Sequence, residues 1–203
     1  MEKKVIAVFG GSFNPPTVAH INLAKQILKR VENIEKVIFV PVSTKYNKNG
    51  LAPDEQRFNM LKCICRDEEG LEVSRIELDS SRQLYTIETL KEIRSGNPNK
   101  DIYFILGTDN LKELETWYKA EELISSFKIL ILKRDNDNIE TIIKENYLLQ
   151  KYRNSFIELD NIEQIDLSSS YIREKVVKGE DITDLVPEEI KKDVISIYKK
   201  ESY

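Results

Sequence analysis

The stretch "VFGGSFNPPTVAH", residues 8–20, decides the fold. It completes an apolar, β-branched run, "KVIAVFG" at residues 4–10, that stops at paired glycines. Such a run predicts a buried strand of parallel type. A polar, proline-rich turn follows, and from Thr17 the apolar residues recur at a helical period: Val18, Ile21, Leu23, Ala24, Ile27, Leu28 and Val31. The spacing predicts a helix over 17–32 and therefore the opening of a βαβ unit. Gly10 and Gly11 let backbone approach a bulky anion. Pro15 and Pro16 stiffen the turn, Thr17 suits a helix cap, and His20, the only histidine of the chain, lies one turn in. A helix start adds N–H groups and the positive end of a dipole. The corner reads as a phosphate cradle with an added imidazole donor. It carries neither G-x-G-x-x-G nor G-x-x-x-x-G-K-[ST].

Outward from that corner the alternation continues. "KVIFVPV" (36–42), "LEVSRIEL" (71–78), "DIYFILG" (101–107), "KILILKR" (128–134) and the short "SFIEL" (155–159) read as strands. "PDEQRFNMLKCIC" (53–65), "YTIETLKEIR" (85–94), "LKELETWYKAEELISS" (111–126, broken near Thr116) and "NIETIIKENYLLQKY" (138–152) read as helices. Two more helices follow, in "IDLSSSYIREKVVKG" (165–179) and "LVPEEIKKDVISIYKK" (185–200). Strand–helix alternation implies right-handed βαβ units covered on both faces. The expected fold is α/β: a doubly wound parallel sheet forming one domain over 1–203, helical from about residue 167 onward. Ligands of such sheets bind beyond the carboxyl ends of the strands.

Composition bounds the function. The 203 residues are 40% hydrophobic and 33% charged, with net charge -4. No concentrated basic surface of the kind duplex binding needs is visible, so nucleic acid is not expected as a partner. The apolar run near the start is too short for a signal peptide, and no segment is long enough to span a membrane. The chain reads as cytoplasmic. Cys63 and Cys65 fall two apart on a helix, where they do not face each other; they are expected as free thiols, and no metal site of the chain's own is expected.

A second string, "SSSYIR", places Ser168, Ser169 and Ser170 before a helix with Arg173 three residues on. Alone it reads as a capped surface helix. Beside the first corner it offers hydroxyls and a guanidinium for phosphate oxygens. Gly107 ends the fourth strand, and Asp109 just beyond it is a carboxylate at a strand's carboxyl end, which by itself can cap the next helix.

These strings carry a resemblance. "GGSFNPPTVAH" is similar to the nucleotidylyltransferase signature, a glycine-rich turn ending in [H/T]-x-x-H. In the form G-S-F-N-P-x-T-x-x-H it resembles nicotinate or nicotinamide mononucleotide adenylyltransferases. Thr17 stands where the usual bacterial pattern has a first histidine, and His20 takes the place of the second. "LSSSYIR" resembles the family's I-S-S-T-x-I-R, and "GEDITDLVP" its G-x-x-I-x-x-L-V-P tail, so the resemblance runs from Val8 to about Tyr198. It implies adenylyl transfer from ATP to a pyridine mononucleotide, with Mg²⁺ on the ATP phosphates and His20 and Arg173 as catalytic residues. It implies an ATP site of Gly10, Gly11, Ser12, Phe13, Thr17, His20, Gly107, Asp109, Ser168, Ser169, Ser170 and Arg173. The mononucleotide would meet Asn14, Tyr46, Lys48, Thr86, Trp117, Tyr118 and Arg134, with Trp117 stacking on the pyridine ring and the Tyr118 N–H reaching its substituent. Transfer to another phosphorylated acceptor, and a nucleotide sensor without catalysis, are the alternatives. Nicotinate or nicotinamide, and a monomer or a homo-oligomer, stay open at this point.

Overall fold

The computed structural model describes residues 3–46, 50–134, 137–159, 162–163 and 165–199. In chain order these form β1 (Val5–Gly11), α1 (Val18–Arg30), β2 (Ile34–Pro41), α2 (Asp54–Arg66), β3 (Leu71–Val73), α3 (Ile76–Asp79), α4 (Thr86–Gly96) and β4 (Asp101–Gly107). Then come α5 (Thr108–Leu111), α6 (Ala120–Ser126), β5 (Lys128–Leu132), α7 (Ile139–Glu145), α8 (Tyr147–Lys151), β6 (Phe156–Glu158), α9 (Ser169–Lys178) and α10 (Glu188–Tyr198).

The strands lie in the order β3-β2-β1-β4-β5-β6, and every pairing is parallel. Successive side chains of a strand point to opposite faces, and both faces are covered. Ala7, Val37, Phe39 and Ile105 pack with α1, α2, α9 and α10. Ile6, Val8, Ile38 and Phe104 pack with α4, α6, α7 and α8. This explains why β1 is apolar without alternation: Val5 through Val8 are all buried. The winding reverses between β1 and β4, so the carboxyl ends of these two strands splay apart and leave a crevice.

Three expectations are corrected. The third strand stops at Val73, because the Ser74 hydroxyl accepts the Ile76 N–H at 3.2 Å and starts a turn into α3. The segment 111–126 breaks near Thr116 as read, but its first half is not a helix of its own: it holds the last residue of α5, a 3₁₀ turn at Leu114–Thr116 and an extended Trp117, and the α-helix resumes only at Ala120. The helix expected over 138–152 breaks at Asn146, whose side chain caps α8 by accepting the Leu149 N–H at 3.0 Å. The helical end, the sixth short strand and the Thr17 cap stand as read. No helix of the described residues is long and apolar enough to cross a membrane. Cys63 and Cys65 are free, and burial, helped by Glu72 and Glu68, pushes the Cys65 thiol up to about 12, which keeps it protonated and unreactive.

Candidate active site

A cleft of about 1450 Å³ opens at the carboxyl ends of β1 and β4. Gly10, Gly11, Ser12, Phe13 and His20 form one wall, Ser168 and Ser169 another, and Thr86, Gly107, Trp117, Tyr118 and Arg134 line the rest. Residues from six separate stretches of sequence therefore meet in one space.

The first corner is built on a strained turn. Phe13 takes a left-handed backbone (φ 46), which a bulky residue adopts only when its surroundings hold it. Its ring, 2% exposed, packs edge-on against Phe9, Phe39 and His20. Gly11 makes room: a Cβ there would stand 3.0 Å from the Phe13 ring. Thr17 caps α1, its hydroxyl accepting the His20 N–H at 3.3 Å. In return His20 Nδ1 accepts the Thr17 N–H at 3.1 Å and lies 2.8 Å from the Thr17 hydroxyl. A backbone N–H only donates, so Nδ1 is the unprotonated nitrogen and Nε2 carries the proton. Burial, and then the positive charge of Arg134, lower the imidazole to about 4. At neutral pH His20 is an uncharged ring with one N–H left to donate.

Two expectations about this corner change. Thr17 is fully buried and both its polar groups engage His20, so it orients the imidazole and does not face the cleft. The start of α1 is also less open than a bare helix end, because the Val18 N–H donates to the Leu185 carbonyl at 3.1 Å and the His20 N–H is taken by the cap.

The second string folds onto the first. Ser168 caps α9 by accepting the Tyr171 N–H at 3.1 Å. The N–H groups of Ser169 and Ser170, in the first turn, have no acceptor within the helix. The Ser169 hydroxyl donates to the Pro15 carbonyl at 2.8 Å, and Arg173 Nη1 donates to the Asn14 carbonyl at 2.7 Å. Arg173 Nη2 donates to the Ser170 hydroxyl at 3.0 Å. Ser170 and Arg173 sit just outside the cleft wall, on an adjoining hollow of about 410 Å³ with Glu174, Val177 and Lys178.

Asn14, expected to meet a ligand, is 3% exposed and belongs to the scaffold. Its amide donates to the Gly50 carbonyl and accepts from the Ala52 N–H and the Tyr198 hydroxyl. The sequence reading missed Arg57. It is fully buried on α2, donating to the carbonyls of Ser12, Val42 and Ala52 and to Asp54. An arginine at i+3 from Asp54 in the first turn of a helix looks like an ordinary surface pair, which hid it.

At the other end of the cleft, Gly107 ends β4 with no room for a side chain. A Cβ there would fall 2.3 Å from Asp109 Oδ1 and 3.0 Å from Arg134 Nε. Those two side chains fold back over the glycine, 3.4 Å apart, and Asp109 stands at the rim rather than on the wall. Thr86 is the first residue of α4 and not its cap; Tyr85 holds that place. The Tyr85 and Tyr118 rings stack at 4.3 Å, each nearly half exposed. Trp117 is half-buried and meets Phe104 at 6.3 Å, leaving part of its face to the cleft. Glu77 also lines the wall; burial pushes its carboxyl up to about 7 despite a 2.8 Å hydrogen bond from the Thr89 hydroxyl. Lys45 donates to the carbonyls of Leu78 and Ser80. Tyr46 closes a 3₁₀ turn, and Lys48 lies outside the described residues.

The family model described as cytidylyltransferase-like matches residues 8–175, which include both strings. A relative from Clostridium tetani, curated as a probable nicotinate-nucleotide adenylyltransferase, is 35% identical over 93% of this chain and 94% of its own. The chain belongs to the nicotinate-nucleotide adenylyltransferase family. Another member so described, from Fusobacterium nucleatum, is 35% identical over 92% of this chain and 95% of its own. Among solved structures, the nicotinic acid mononucleotide adenylyltransferase of Plasmodium falciparum complexed with NaAD superposes with a TM-score of 0.73. It shares 25% identity over 97% of this chain and 95% of that one. The same enzyme complexed with APC gives 0.72.

Proposed function

We propose that this chain joins ATP and nicotinate mononucleotide to give deamido-NAD and pyrophosphate. The acceptor's 5′-phosphate oxygen attacks the α-phosphorus of ATP in line; the new P–O bond forms as the bond to the β-phosphate oxygen breaks, and the electron pair leaves with pyrophosphate. The attacking phosphate is largely ionised at neutral pH, so no general base is required. Catalysis reduces to placing two anions and offsetting their charge. The observation that carries the reading is the stitching of α9 to the first corner by Ser169 and Arg173, across more than 150 residues of sequence, at the end of a cleft that also holds Trp117.

In this reading the His20 Nε2–H donates to a phosphate oxygen. Ser12 and the glycine backbone border the triphosphate, and the α9 start with Ser168, Ser169, Ser170 and Arg173 holds the departing pyrophosphate. Asp109 accepts from a ribose hydroxyl. Trp117 stacks on the pyridine, the Tyr118 N–H and Thr86 meet its carboxylate, and Arg134 supplies positive charge nearby. Tyr46 and Lys48 meet the acceptor, with Lys48 near its phosphate. Among the described residues no three histidine, cysteine, aspartate or glutamate side chains cluster as a metal cage. That fits Mg²⁺ delivered on the nucleotide, since Mg²⁺ is held chiefly by substrate phosphates and water. When bound, it would neutralise phosphate charge.

Relatives named for nicotinate favour that acceptor over nicotinamide. The test is pyrophosphate release from ATP and Mg²⁺ with each mononucleotide in turn. Nicotinate mononucleotide should turn over with the higher kcat/KM by tenfold or more; equal rates, or turnover only with some other phosphorylated acceptor, would reject the assignment. Trp117→Ala should raise KM for the mononucleotide about tenfold, the worth of one ring stack in a dry site, and leave KM for ATP within twofold. Equal weakening of both substrates would rule out stacking on the pyridine.

A further inference from the structure

Asn14 is the point where three parts of the site meet. Its carbonyl receives Arg173 Nη1 at 2.7 Å. Its side-chain amide donates to the Gly50 carbonyl at 2.7 Å. Its Oδ1 accepts two bonds, from the Ala52 N–H at 2.9 Å and from the Tyr198 hydroxyl at 2.6 Å. Tyr198 ends α10, 184 residues away in sequence, and is fully buried. Its ring belongs to the apolar core on that face of the sheet, while its hydroxyl reaches through to the turn.

An amide held at three points in a dry setting has no freedom to rotate, and hydrogen bonds there are stronger than in water. The carbonyl of the same residue then presents its lone pair to the guanidinium in one direction. Without the Tyr198 hydroxyl, Oδ1 loses its shortest bond, the Asn14 turn loosens, and Arg173 loses the fixed acceptor that aims it. The loss is one of orientation rather than of any contact with substrate.

We infer that Tyr198 is a positioning residue for adenylyl transfer: its hydroxyl locks Asn14, and the Asn14 carbonyl aims Arg173 at the pyrophosphate. The inference rests on the reading of Arg173 as a pyrophosphate donor. It makes α10 part of the machinery as well as part of the core, and it assigns to Asn14 the coupling of the backbone at Gly50 and Ala52 to the leaving-group arginine.

A double-mutant cycle tests it. Tyr198→Phe keeps the ring and removes only the hydroxyl; Arg173→Ala removes the proposed donor; kcat, both KM values and thermal melts are measured for each and for the pair. Tyr198→Phe should lower kcat about tenfold with both KM values within twofold, and should cost nothing further on the Arg173→Ala background, as expected for members of one network. A lower melting temperature with kcat unchanged, failure of Tyr198→Phe to fold, or the same loss of kcat on both backgrounds would each overturn the positioning role. Wild-type turnover in Arg173→Ala is a separate result. It removes Arg173 from the reaction, and the role of Tyr198 falls with it.

Discussion

Replacing His20 by alanine should lower kcat by about 10²–10³, the usual worth of one well-aimed donor to a developing oxyanion. The fold should persist. The ring is half-buried, and the capping interactions it shares with Thr17 are worth only about 1 kcal/mol. The effect depends on which nitrogen carries the proton. Because the Thr17 N–H occupies Nδ1, the ring has a fixed tautomer with Nε2–H as its remaining donor. His20→Asn would keep a donor but set it at a different reach, and should recover only part of the loss. Unchanged turnover in His20→Ala would take the imidazole out of the mechanism.

The same geometry fixes the pH dependence. A ring held near 4 by burial and Arg134 stays neutral from pH 6 to 8, so the penalty of His20→Ala should be the same across that range. An imidazolium donor would instead fade in effect above about pH 6.5, the ordinary value for histidine. Stability has the matching sign. The unfolded chain protonates this side chain near 6.5, whereas the folded one resists down to about 4. The folded state therefore binds fewer protons in that window. The stability in question is complete above about 6.5 and is lost as pH falls toward 4. His20→Ala should show less acid destabilisation than the parent protein over the same interval.

Much of this was legible in the chain itself, and the reasons differ by residue. β1 and β4 are continuous apolar runs stopped by glycine, a pattern that few alternatives to a covered parallel strand produce. Gly11, Thr17 and His20 could be placed because a strand-to-helix turn leaves them little freedom. The short elements were not legible: α3 depends on a single hydroxyl, that of Ser74, and α8 on the Asn146 cap, each too local to outweigh a strand or helix pattern. Asn14 and Arg57 were misread or missed for a different reason. Whether a polar side chain faces a ligand or the scaffold is decided by partners distant in sequence, here Tyr198, Gly50, Ser12 and Val42, and no spacing within a motif reveals them. Glu77 was hidden in what read as a strand.

Arg57→Leu is expected to be the most destabilising single change at this site, by about 3–5 kcal/mol, the usual cost of removing one partner from a buried charged network. In a protein of this size that corresponds to a fall in melting temperature on the order of 10 °C. The side chain has no exposed surface, and its fork serves four acceptors: the carbonyls of Ser12, Val42 and Ala52 and the Asp54 carboxylate. Leucine fills part of the volume but leaves three carbonyls without their donor, and buried polar groups left unsatisfied cost more than its added apolar contacts can offset. Lysine keeps the charge yet cannot reproduce the planar fork, so Arg57→Lys should recover only a minority of the loss. Since Ser12 belongs to the turn that carries His20 and Ala52 to the one that holds Asn14, activity should fall even at temperatures where Arg57→Leu remains folded. Denaturant unfolding and kcat at 15 °C separate the two effects. A stability loss below about 1 kcal/mol, the range of an exposed ion pair, would show that Arg57 does not brace the turn.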